Sequence, residues 1–298
     1  MKSSCLNLSA IFFAALLLLA PTAFAGDLTE SQKFQNGEGA VNWTNGEVTA
    51  TGFGVPPASA LSAAQARAMA KRAAVVTARR NLLETVKGVK IVSETSVKMG
   101  MVEDDRIKSY VEGFIRGSQI VKVEEYPDGS FEVTVGINMR GNFSQNVLGS
   151  TVYKNTAIAP VPTTVPVPVA KVEPKVEIEK EVAVAKSSDY TGIIFDASKL
   201  NPTQPCLSPK VIDMDGNEVY GSSIASREHV IKRGMAGYVD NIREASNFEL
   251  VKGNPFIVRG VQRKSSTTII ITNEDAEKIR EINKNTSLLE QCKVVIVL

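Results

Sequence analysis

The chain has 298 residues, with 34 Lys and Arg against 32 Asp and Glu, for a formal net charge of +2. So balanced a charge argues against a nucleic-acid binder, which carries a strongly basic domain. A single histidine, with cysteines expected to pair, leaves no ligand set for a zinc site.

The first 25 residues read as a secretory leader. Lys2 gives a positive start, and Ile11 to Ala20 is an apolar run of signal-peptide length, short of the roughly 18 residues a membrane span needs. Pro21 breaks it, and Ala23-Phe24-Ala25 is a small-x-small cleavage site. Cleavage is expected between Ala25 and Gly26; the alternative is a retained anchor. Losing Lys2 takes the net charge from +2 to +1. Cys5 lies far from the cleavage site, and Gly26 stands where a lipoprotein would have cysteine. A soluble periplasmic or secreted chain without a lipid anchor or a later transmembrane segment is expected.

A first domain is expected over residues 38–150. Asn45-Gly46 between Val41–Thr44 and Glu47–Ala50 signals a hairpin. Ser62-Ala63-Ala64-Gln65 is a capping box that opens a helix to about Lys87, and Gly88 ends it. Arg67, Lys71, Arg72, Arg79, Arg80 and Lys87 make this helix basic, but they spread around it. A DNA-reading helix would concentrate them. Its many alanines instead suit close packing on a sheet. Residues 89–97 read as a strand, and 104–116 as a helix with Ile107, Val111 and Phe114 on one face. Residues 119–125 and 131–139 read as strands about the turn Pro127-Asp128-Gly129-Ser130. The expected order is β-β-α-β-α-β-β.

Residues 151–187 form a linker rich in Pro, Val, Lys and Glu. Proline fixes φ and removes donors, so extended polyproline-like chain is expected, with a reach on the order of 100 Å. Val176, Ile178, Val182 and Val184 alternate, and are able to begin a strand.

A second domain is expected over 188–298. Strands are read at 190–197, 210–212, 218–220, 256–261 and 267–272, and helices at 226–233, 239–247 and, from the capping box Thr272-Asn273-Glu274-Asp275, to about 285. Residues 292–298 form an apolar strand suited to the middle of a sheet. The fold class is therefore α+β: two small domains, with helices on mainly antiparallel sheets, joined by the linker. In an oxidising compartment Cys206 and Cys292 are expected to form a disulfide worth about 4 kcal/mol; the alternative is two buried thiols.

Chemical motifs are sparse. His229 is alone. Asp213-x-Asp215-Gly216-x-Glu218 is a fragment of a calcium loop without the later bidentate Glu, and reads as an Asp-Gly turn. Gly52-Phe53-Gly54 lacks the spacing of a phosphate loop and marks a strand end.

Residues ARAMAKRAAVVTARRNLLETVKGVKI, followed by VEGFIRGSQIVKVEEYPDGSFEVTVGINM, carry a resemblance. An alanine-rich helix leads into G-V-x-I, then V-x-G-x-x-x-G-x-x-x-V, then an Asp-Gly hairpin with alternating valines. This pattern, over roughly 60–140, resembles the twenty-kilodalton outer-membrane lipoprotein family and is similar to the N-terminal domain of flagellar assembly protein T. The resemblance implies envelope association through protein contacts and brings no catalytic residues. It does not extend into the C-terminal half. The reading is a non-enzymatic periplasmic or cell-envelope adaptor that binds envelope proteins and uses no cofactor. The alternatives are a flagellar basal-body accessory protein and a small-ligand or glycan-binding module. Oligomeric state is left open.

Overall fold

The computed structural model describes residues 28–151, 189–200 and 203–298. The expected leader, with its cleavage position at Ala25 and Gly26, and linker residues 152–187 lie outside the described residues.

Strands β1 (Thr29–Phe34), β2 (Gly37–Asn42) and β3 (Glu47–Gly54) open the N-terminal domain. The Asn45-Gly46 turn forms as expected: Gly46 has φ 76°, and its amide donates to Asn42 O at 2.9 Å. Helix α1 (Ala63–Gly88) follows. Ser62 Oγ accepts from the Gln65 amide at 3.2 Å, while Gln65 Oε1 accepts from the Leu61 amide at 2.8 Å. Then come α2 (Val97–Glu103), α3 (Asp105–Arg116), β4 (Gln119–Glu125), β5 (Phe131–Asn138) and α4 (Asn142–Thr151). The strands form one antiparallel sheet in the order β1-β2-β3-β5-β4.

Small residues set the distance between α1 and this sheet. Ala70, Ala74 and Ala78 are fully buried along one stripe. Beneath them are Gly52 and Gly54: a Cβ at Gly52 would lie 2.6 Å from Ala74 O and Ala78 Cα, and one at Gly54 would lie 2.5 Å from the Ala74 nitrogen. The Gly-Phe-Gly stretch is thus a packing device at the end of β3. The basic side chains stay outside this contact. Arg67 pairs with Glu125, Lys87 with Glu84 at 2.7 Å, and Arg79 Nε donates to Ser118 Oγ at 3.4 Å. Helix α1 is therefore a structural helix with solvated cations.

Three parts of this domain differ from expectation. Residues 89–97 hold only a bridge between Lys90 and Ser96, and α2 begins at Val97. Ser96 Oγ caps that helix by accepting from the Met99 amide at 3.4 Å. Strand β1 and helix α4 complete the domain without having been read from the sequence.

The C-terminal domain runs β6 (Gly192–Asp196), β7 (Lys210–Ile212), β8 (Glu218–Tyr220), α5 (Arg227–Arg233), β9 (Gly237–Val239), α6 (Ile242–Asn247), β10 (Pro255–Arg259), β11 (Gln262–Ser265), β12 (Thr268–Ile270), α7 (Asn273–Thr286) and β13 (Val294–Val297). Thr272 caps α7, accepting from the Asp275 amide at 3.1 Å. The α+β class with two domains holds. The N-terminal sheet is antiparallel throughout, and the sheet β11-β12-β7-β8 is mixed. The sheet β10-β6-β13-β9 is parallel throughout. Every residue of β6 and β13 is buried, the pattern of parallel strands covered on both faces. As expected, β13 lies inside its sheet, between β6 and β9.

The two domains share one apolar core, which runs from Val41 and Trp43 through Phe143 to Tyr238 and Ile296. The residues after α1 are part of the reason. Lys90 O accepts from the Leu207 amide at 2.9 Å, and Ile91 O accepts from the Ser208 amide at 2.8 Å. The backbone that was expected to make a strand in its own domain instead bonds the second one.

Candidate interaction surface

The seam between the domains is built around Trp43, the only tryptophan. It is 5% exposed, and its ring meets Tyr238 edge-on at 5.8 Å. Trp43 Nε1 donates to Glu30 at 3.1 Å, so the indole is polar-satisfied while buried. Tyr238 Oη donates to Cys206 O at 2.8 Å and accepts from the Cys206 amide at 3.2 Å. Burial pushes the Tyr238 hydroxyl well above its ordinary range. Thr44 Oγ1 donates to Tyr238 O at 3.0 Å, Arg140 Nη2 to Thr44 O at 3.0 Å, and the Gly141 amide to Ile231 O at 2.7 Å. This seam fixes how the two domains sit, and so fixes which surfaces remain open.

One of these is β4, an edge strand that carries exposed aliphatic side chains. It pairs with β5 on one side only and is the edge of its sheet. Ile120, Val121 and Val123 are exposed along it, Val121 by 57%. Next to it, on the face of the sheet away from α1, Phe53 and Tyr126 meet at 5.7 Å, and Tyr126 Oη donates to Glu132 at 2.9 Å. An edge strand offers a row of unpaired backbone groups, and exposed apolar side chains beside it make it a candidate for association. Lys122, paired with Glu124 at 2.5 Å, and an irregularity between Ile120 and Lys122 limit indiscriminate pairing. The sequence marked 119–125 as a strand but held no signal of its place at the edge.

The sequence candidates for chemistry find structural roles. Cys206 and Cys292 are separate buried thiols, which corrects the expected disulfide. They lie in different surroundings: Cys206 Sγ is 3.8 Å from Tyr238 Oη, while Cys292 Sγ is 3.9 Å from Glu290 O, at a residue with φ 55°. Burial pushes both thiols from 9.0 to about 11. The thiolate is the reactive form, so alkylation of the folded chain at neutral pH should run at least about a hundredfold slower than in denaturant. Intact-mass analysis after iodoacetamide, native against unfolded, checks this; in a chain begun at Gly26, two modifications after unfolding without reductant also count Cys206 and Cys292 as free thiols.

Asp213 serves its turn and α7. Its carboxylate accepts from the Asp215 amide at 3.1 Å, the Asn217 amide at 2.8 Å and Arg280 Nη2 at 2.8 Å. Asp215 in turn accepts from Asn273 at 2.9 Å. These bonds occupy the oxygens that a calcium ion would use, so the Asp-Gly turn reading fits. The Arg280 guanidinium, ahead of the Asn217 bonds, holds the Asp213 carboxyl down at about 2 against an ordinary 3.8. A depressed carboxyl stabilises the fold above its unfolded value and loses that contribution as pH falls through the folded one. Stability attributable to this pair should therefore fade between about pH 4 and pH 2. Arg280→Met should flatten that limb, read as urea midpoints across the same interval.

His229 lies half-buried on α5, with Nδ1 enclosed and without a hydrogen-bond partner among the described residues. Among the described residues, no helix is long and apolar enough to cross a membrane.

Two comparisons describe the two domains separately. Residues 54–138, from the last residue of β3 to the last of β5, match the LPP20 lipoprotein family, which bears out the N-terminal resemblance. Residues 192–298, from the first residue of β6 onward, match the second domain of Treponema pallidum Tp0624, a likeness the sequence reading had not identified. No curated protein matches the chain. The chain thus joins an N-terminal domain similar to the LPP20 lipoproteins to a C-terminal domain similar to the second domain of Treponema pallidum Tp0624.

Proposed function

We propose that the chain is a non-enzymatic cell-envelope adaptor that acts in the periplasm or outside the cell and binds envelope proteins through the edge of its N-terminal sheet. The observation that carries this reading is β4: an edge strand with Ile120, Val121 and Val123 exposed, inside the region that resembles the LPP20 lipoproteins. Strand addition to such an edge gives affinity through main-chain hydrogen bonds and specificity through alternate side chains. The shared core at the seam supports the same reading, because it joins the two domains and leaves β4 at a free edge. Chemical crosslinking of the full chain in living cells, followed by mass spectrometry, tests the proposal. Envelope proteins should be recovered with it. A blank, or turnover in a broad hydrolase screen, contradicts it.

A further inference from the structure

A cleft of about 740 Å³ opens where the end of α3 meets the start of β4 and the outer face of β5. Three glycines keep it open. Gly113 and Gly117 lie one helical turn apart, and Gly136 faces them from β5. Gly113 is inside α3, where glycine is the poorest helix former after proline. A Cβ there would meet nothing within 4 Å, so packing does not demand a glycine. Tyr110 and Phe114 form an aromatic wall, stacked at 5.7 Å with 23° between planes. Glu47 is the one charged residue on the lining. Its Oε1 reaches to 3.6 Å from where a Cβ on Gly136 would stand, and its hydrogen bond from Asn45 Nδ2 is long, at 3.4 Å.

We infer that this cleft receives a Lys or Arg side chain of an extended partner segment that lies along β4. The inference rests on the adaptor reading and names the chemistry of the partner. Its lining carries a single charge, and that charge is negative, so the complementary occupant is cationic. An aromatic wall suits a cation through the ring quadrupole and suits the methylene stem through apolar contact. The volume falls in the range of sites that enclose a ligand larger than one side chain, which leaves room for the residues flanking the cation. Gln119 and Val121 belong both to the lining and to β4, so a strand added to the free edge lies beside the cleft, two strand spacings (about 10 Å) from β5, a span that a long side chain can bridge.

The test is selection of phage-displayed nonapeptides on the full chain, repeated on Glu47→Gln, Glu47→Lys and Gly113→Leu. The native chain should enrich Lys or Arg beside an apolar residue. A synthetic peptide from that set should bind Glu47→Gln and Gly113→Leu at least tenfold more weakly, and Glu47→Lys should enrich Asp or Glu instead. Circular dichroism of Glu47→Gln, a near-isosteric change, separates lost recognition from lost folding, and Glu47→Gln decides the matter if Gly113→Leu misfolds. Three results overturn the inference: no peptides, peptides indifferent to position 47, or Nα-acetyl-lysine amide binding as tightly as the peptide. Peptides that still bind β4 while ignoring position 47 leave the adaptor reading standing.

Discussion

Gly52→Val should unfold the N-terminal domain or destabilise it by about 3 kcal/mol or more, at the upper end of overpacking effects. The reason is geometric. The Cβ alone would meet the backbone of Ala74 and Ala78, not a side chain that can swing away. Helix α1 would have to lift from β3, and the sealed contacts of Ala70, Ala74 and Ala78 would open along the whole stripe. Gly113→Ala is the matched control. Its Cβ meets open space, so it should raise stability by about 0.5–1 kcal/mol as an ordinary helix substitution. Urea unfolding followed by circular dichroism reads both. Near-equal stabilities for the two variants would contradict the packing account.

Trp43→Ala should cost about 3–5 kcal/mol, the range for removing a large buried aromatic. It removes the ring that meets Tyr238 and leaves Tyr238 and Cys206 next to a void. Because the core runs unbroken through the seam, the loss should register in both domains. Hydrogen exchange should speed up in β13 as well as in β3. Exchange confined to β3 would mean that the domains are stable independently. In the native chain the fluorescence of Trp43, the only tryptophan, should follow the same denaturation curve as the far-ultraviolet signal, as two-state unfolding requires.

Much of this fold was legible because its signals are local. Asn45-Gly46, Pro127-Asp-Gly-Ser and Asp213 to Asn217 each specify a turn through a few neighbouring residues, and each turn formed. Ser62 and Thr272 announced α1 and α7 by the same short-range chemistry. What escaped depends on distant partners. Thr29–Phe34 has no apolar alternation, because β1 is an edge strand exposed along nearly all its length. Val239 reads as the start of a helix but ends β9, through parallel pairing with Val297. Val89 to Ile91 are β-prone, yet the carbonyls of Lys90 and Ile91 bond Leu207 and Ser208, over a hundred residues away. The candidate surface was half legible: β4 was read as a strand with its observed limits, but its place at the edge follows from strand order, which periodicity does not carry. The Gly113 and Gly117 spacing was visible as a motif, and only the structure assigns it to a cleft.

Whether β4 is the docking edge is decided by site-specific photo-crosslinking in living cells. A photoreactive residue is placed at Val121 or Val123, with Glu277 on the exposed face of α7 as the control. Discrete adducts with envelope proteins should form from both β4 positions, and none from position 277. Adducts absent from β4, or shared equally with position 277, would contradict a docking role for β4.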